Sequence, residues 1–170
     1  MMKIVPINLN KTGLDRVIEK LRTDISVLSW ITKTFPAAKQ GIKDNLSFPE
    51  IYMNNGTDES YPIIPDNSEK AFVFFEKSNS VYNIDEQIDN NYNLNLICWY
   101  NLKAIQTVDY DFSEELLRNI VEVLYKYNVE NISVTYNYLF DNYSLVKREH
   151  RQLLMFPSGA FKLSFNIIEC

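Results

Sequence analysis

Residues 92–102 read Tyr-Asn-Leu-Asn-Leu-Ile-Cys-Trp-Tyr-Asn-Leu, and their alternation decides what kind of fold the chain can adopt. Successive side chains of a strand point to opposite faces, so Tyr92, Leu94, Leu96, Cys98, Tyr100 and Leu102 share one face while Asn93, Asn95 and Asn101 mark the other. Ile97 and Trp99 interrupt the polar face. Two large apolar groups among asparagines need a cover, supplied either by a second element of the chain or by another subunit.

Upstream, residues 71–76 carry Phe72-Val73-Phe74-Phe75, which predicts a strand that is buried on both sides or meets a neighbouring subunit. Earlier still, Phe48, Ile51, Tyr52 and Met53 lead into Asn54-Asn55-Gly56, whose Asn-Gly step favours the left-handed backbone of a tight hairpin turn. The return arm is expected to include Ile63 and Ile64, and the flanking Pro62 and Pro65, which cannot donate to a ladder, make it an edge. Residues 77–91 are polar, carry Asp85, Glu86 and Asp89, and read as a long loop. Downstream, Ile132, Val134, Tyr136 and Tyr138 alternate with Ser133, Thr135 and Asn137. A last strand alternates Phe161, Leu163, Phe165 and Ile167 with Lys162, Ser164 and Asn166.

Two stretches have the helical period instead. In residues 12–35, Thr12 and Asp15 have the spacing of a capping box, and Leu14, Val17, Ile18, Leu21, Ile25 and Leu28 form an apolar stripe that Pro36 is expected to end. Trp30, Ile31 and Phe35 near its exit belong either to the core or to an exposed anchor for a partner. A second helix opens at Asp111 with another capping-box pattern, continues through Leu116, Leu117, Ile120, Val121, Leu124 and Tyr127, and stops at Asn128. This order predicts one α+β domain over residues 1–170: a mostly antiparallel sheet with two amphipathic helices packed on one face.

A chain of 170 residues can bury about 70% of the surface it exposes when unfolded, and 46% hydrophobic residues suffice to build that core without staples. The net charge of -5 opposes non-specific attraction to nucleic acid or anionic lipid. Cys98 and Cys170 are too few for a disulfide framework, and no CxxC pair suggests zinc, so a reducing compartment is expected. The N-terminus has no signal-peptide core, and no apolar run approaches the roughly 18 residues of a membrane span, which places the expected site of synthesis and folding in the cytoplasm.

Catalytic patterns are not found. His150, within Lys147-Arg148-Glu149-His150-Arg151, lacks metal-ligand spacing. That basic cluster reads as a solvated loop docking on an acidic neighbour, with a phosphate or nucleic-acid contact as its functional alternative. Asp58 and Glu59, then Asp85, Glu86 and Asp89, fall in turn-like segments where carboxylates are ordinarily solvated, while Asp109, Asp111, Glu114 and Glu115 gather at a helix start. Cys98 sits on the apolar face of its strand as an inert thiol, and Ser158-Gly159 reads as a turn. The four glycines are isolated, so no phosphate-cradling loop is formed. The expectation is a protein with no cofactor, no metal and no enzymatic activity.

In layout the chain resembles the neck and tail-completion proteins of tailed bacteriophages, the head-tail connector and tail-terminator subunits. The features that carry the resemblance are the helix at 12–35, the hairpin FPEIYMNNG, the strand YNLNLICWYNL, the helix EELLRNIVEVLYKY and the closing FPSGAFKLSFN. The richness in Asn and Tyr is similar to proteins of crAss-like phages. The resemblance implies a homo-oligomeric ring in the virion, made in the bacterial cytoplasm, contacting portal, neck or tail proteins and surrounding a channel that passes DNA without reading its sequence. Residues 77–91 and 140–154 would be its gripping arms. In that setting Trp30, Phe35 and Trp99, with Lys147, Arg148 and Arg151, are the expected subunit interface, and Asp85, Glu86 and Asp89 the expected channel lining. Two other classes stand beside it: a monomeric phage-encoded protein that binds or inhibits a host partner through an edge strand or acidic surface, and a small metal-dependent hydrolase.

Overall fold

The strand at the centre of the sequence is also central in space. The computed structural model describes residues 5–54, 58–77, 90–106, 111–136, 139–140 and 142–169. Along the chain lie α1 (Gly13–Ser26), β1 (Lys33–Ala37), β2 (Lys39–Lys43), β3 (Leu46–Asn54), β4 (Asp58–Pro62), β5 (Ala71–Lys77) and β6 (Asn90–Asn101). They are followed by α2 (Asp111–Leu124), β7 (Val129–Thr135), α3 (Ser144–Glu149), a 3₁₀ turn (Arg151–Leu154) and β8 (Ser158–Glu169). The main sheet has the order β1-β5-β6-β8-β7, parallel only between β1 and β5, and β2-β3-β4 form a small antiparallel sheet. The α+β reading of the sequence, with a mostly antiparallel sheet, is the architecture observed.

Alternation along β5, β6 and β8 feeds two separate cores. Val73, Phe75, Leu94, Leu96, Cys98, Phe161, Leu163 and Phe165 meet the apolar stripes of α1 and α2, including Val17, Leu21, Ile25, Leu116 and Ile120. Phe72, Phe74, Ile97 and Trp99 point the other way, into Phe35, Ile51, Ile63, Phe140, Tyr143, Val146 and Leu153. The main sheet is therefore the middle of three layers, with both long helices on one face and the small sheet with α3 on the other. The cover that Ile97 and Trp99 require comes from the chain itself.

Trp99 anchors that second core. Its ring stacks on Phe72 with centroids 5.3 Å apart, and its indole Nε1 donates to the Leu153 carbonyl at 2.6 Å. Phe35 meets the same Phe72 edge-on at 6.0 Å. Residues 140–154, expected as a polar arm, instead fold back as α3 and the 3₁₀ turn to close this core. A reciprocal pair fastens α3 to β3: Ser47 N–H donates to Ser144 Oγ at 2.8 Å, and Ser144 N–H to Ser47 Oγ at 2.9 Å.

Several local expectations are revised. The first helix stops at Ser26, ten residues before Pro36, because Thr32 donates through both its N–H and its Oγ1 to the Ala71 carbonyl and draws the chain into β1. Trp30 and Ile31 then fill the helix-side core while Phe35 crosses to the other one. Pro36 lies inside β1, an edge strand whose pairing is irregular between Thr34 and Ala37, so its missing N–H breaks no regular ladder. Thr12 makes no side-chain cap; Gly13 takes φ +55° there, and Asp15 pairs with Lys77 at 2.8 Å instead of reaching back. The hairpin at residues 46–62 is present, though β4 ends at Pro62 and Ile63 beyond it is a core residue. β2 was not foreseen, because Gly41 alone of its five residues is buried and Ile42 faces solvent. Its signal is the two-residue Asp44-Asn45 turn, where both residues have positive φ, at 51° and 62°.

A fully buried charged pair ties the N-terminal segment to the fold. Arg22 Nη1 donates to both Glu19 oxygens at 2.9 and 2.7 Å, while Nη2 donates to the carbonyls of Val5 at 2.7 Å and Thr34 at 2.8 Å. Glu19 also accepts from the Asn8 N–H at 2.9 Å. The two side chains are 0% and 1% exposed, so removing Arg22 leaves the buried Glu19 with only the half-exposed Lys11, at 3.5 Å, and the Asn8 N–H as partners. Arg22→Ala should lower stability by about 3–5 kcal/mol, whereas the apolar replacement of both, Glu19→Leu with Arg22→Met, should cost far less. Urea denaturation of the single and double variants measures the difference.

Candidate interaction surfaces

The residues singled out in the sequence separate by layer. Trp30 is buried, with its indole Nε1 donating to Asn119 Oδ1 at 3.1 Å across the two helices. Phe35 and Trp99 are inside the second core, so the three aromatics expected at a subunit interface present almost no surface in this conformation. Their apolar bulk is used to join layers of one chain. Asp85, Glu86 and Asp89 lie outside the described residues.

Lys147, Arg148 and Arg151 are exposed together on α3 and the 3₁₀ turn, where Val146, Leu153 and Leu154 pack on the second core. Directly after them Met155 and Phe156 are also exposed, giving a basic patch with an apolar border. His150 caps the end of α3 by donating its backbone N–H to the Val146 carbonyl at 3.0 Å. On the opposite face of the main sheet, α2 carries the acids Glu114, Glu115 and Glu122 against one arginine, Arg118, which pairs with Glu115. The molecule is thus basic on the α3 side and acidic on the α2 side.

β7 forms one edge of the main sheet, and among the described residues no strand pairs with its outer side. Its face is unusually open: Val134 and the following Tyr136 are exposed, as is Tyr125 on the turn after α2. The β7 ladder to β8 contains a bulge between Glu130 and Ser133, with Asn131 at φ 55°. The opposite edge, β1, has its own irregularity and a proline, both of which discourage further pairing.

A polar cleft of about 780 Å³ runs between the start of α1, the β1–β2 link and α3. Its carboxylates are engaged: Asp15 by Lys77, and Glu76 by the Tyr143 hydroxyl, which donates to it. Burial, then the bond to Glu76, pushes the Tyr143 phenol far above its ordinary range. Tyr127 behaves likewise at the helix layer, where burial first and Asp24 second raise it to about 12. Its hydroxyl donates to Asp24 Oδ2 at 3.2 Å.

No group of three or more His, Cys, Asp or Glu is placed to share a metal ion among the described residues. Cys98 is fully buried, and burial pushes its thiol well up, as befits an inert core sulfur. No described helix is long and apolar enough to cross a membrane. Comparisons with protein-family models, with curated proteins and with solved structures found no match to this chain.

Two measurements follow from these environments. In a Cys170→Ser background, Cys98 should react with a thiol reagent only after denaturant is added; rapid labelling of the native protein would show that the core around β6 opens. Above pH 10 stability should fall, because folded phenols retain protons that unfolded ones release, so the unfolded state binds fewer. Tyr127→Phe should flatten that decline between pH 10 and about 12, read as the difference in denaturation midpoint from wild type.

Proposed function

We propose that this chain is a self-assembling structural subunit and not an enzyme, with a neck or tail-completion ring of a tailed bacteriophage as its setting. The observation that carries the reading is the open edge of β7, flanked by exposed Val134, Tyr136 and Tyr125. Unpaired strand edges with apolar flanks recruit further chain through main-chain hydrogen bonds. A second copy is the occupant that the charge distribution favours, since the acidic α2 side of one subunit complements the basic α3 side of the next. A contact between two different surfaces is heterologous, and heterologous contacts close into rings when the rotation permits.

The phage setting rests on the resemblance in layout. In it the ring meets portal, neck or tail proteins, and DNA passes its channel without sequence-specific contact. Lys147, Arg148 and Arg151 remain interface residues in this reading. The apolar contribution shifts from Trp30, Phe35 and Trp99 to Tyr125, Val134 and Tyr136.

Light scattering of the purified protein across a concentration series, with negative-stain microscopy of any large species, tests the assembly directly. The expected result is a closed ring that dissociates on dilution. Val134→Lys with Tyr136→Lys, and separately Arg148→Glu, should each shift assembly to higher concentration without moving the denaturation midpoint by more than about 0.5 kcal/mol, the ordinary range for surface substitutions. A strict monomer at every concentration, or variants that assemble as well as wild type, would overturn this interface.

A further inference from the structure

Asn101 and Ser158 face one another as the final cross-strand pair of β6 and β8. Both are more than nine-tenths buried, at 6% and 9% exposure. Asn101 Oδ1 accepts the backbone N–H groups of Lys103 at 3.1 Å and Ala104 at 3.3 Å, and this fixes which end of the amide is which. Its Nδ2 finds no acceptor among the described residues, and neither does the Ser158 hydroxyl. Neither atom is sealed from solvent, so both remain open to water at the surface of the fold.

Both side chains line a depression of about 630 Å³ at this end of the sheet, together with Asn67, Lys103 and Gln152. Among the described residues no carboxylate lines it. Lys103 supplies a positive charge at the rim, and the exposed Arg151 immediately precedes Gln152. Two solvent-reaching donors without a protein acceptor, beside a cation, form the complement of an anion and not of a metal ion.

We infer that this depression binds a small oxyanion, a phosphate or carboxylate group, with Asn101 Nδ2 and Ser158 Oγ donating from the floor and Lys103 adding charge from the rim. The backbone holds the floor rigid: Asn101 N–H donates to the Lys70 carbonyl at 2.7 Å, Leu102 N–H to that of Pro157 at 2.9 Å, and Ser158 N–H to that of Met155 at 2.8 Å. These bonds place the donors before any ligand arrives.

The test is an amide NMR titration of the full chain with inorganic phosphate at constant ionic strength, with sodium chloride as the control and acetate in parallel. Saturable shifts are expected at the Asn101 side-chain amide and at the backbone of Lys103 and Ser158. Lys103→Glu, at an exposed position, should weaken that response about tenfold while the rest of the spectrum is unchanged. Saturation by acetate as well as phosphate assigns a carboxylate-bearing partner, and saturation by phosphate alone assigns a phosphoryl group; either supports the site. Shifts that chloride reproduces, a response that never saturates, or one that Lys103→Glu leaves intact would mean that water alone satisfies these donors and would overturn the inference.

Discussion

The pairing of β5 with β6 is the constraint on which the rest of this structure depends. Phe72 to Phe75 and Leu94 to Trp99 place large apolar groups on both faces of the same two strands, and neither face can be left to water. A two-layer α+β arrangement would cover one face only. The chain therefore sends α1 and α2 to one side and recruits β3, the segment around Ile63, and α3 to the other. Phe72 and Trp99, opposite one another in the ladder and stacked, fix how that second layer sits.

The second face is covered only in part. Beyond Phe74 and Ile97 the same face continues as Glu76, Asn95, Ser164 and Asn166, and here the sheet is faced with hydrogen-bonding groups, among them Ser164 Oγ donating to Asn95 Oδ1 at 2.7 Å. The boundary between cover and no cover is thus written in the change from aromatic to amide side chains along β5 and β6. Tyr143, just before α3, sits at that boundary: its ring belongs to the second core, against Phe140, and its hydroxyl donates to the first polar residue, Glu76.

Charge is divided between layers in the same way. The interior admits Glu19 and Arg22 because two carbonyls and a backbone N–H supplement their mutual bonds, leaving only Arg22 Nε without a partner among the described residues, and that arrangement brings Val5, Asn8 and Thr34 to one point on α1. Apart from Glu69, which is buried against Lys33, the helices sort their charge to the outside, acidic on α2 and basic on α3, with the main sheet between. A molecule with unlike sides and one open sheet edge has directional contacts available, which is the physical content behind a head-to-tail assembly.

The sequence by itself determined the period of each long element: the alternation of β6 and β8, the double-sided β5, and the helical stripes of α1 and α2 were all legible, because burial on a sheet or helix face leaves a regular spacing of apolar residues. It also determined that Cys98 would be a core thiol. Only the tertiary structure decided which apolar residues were spare. Trp30, Phe35 and Trp99 look alike in sequence whether they meet a partner or a layer of their own chain, since burial is a property of the whole fold. Short elements escaped for a related reason. β2 and α3 have too few buried positions to establish a period; β2 shows only in its short turn to β3, and α3 is held by a group far away in sequence, Ser47. The depression at Asn101 and Ser158 was equally hidden, because two polar residues 57 positions apart become a site only when β6 and β8 pair.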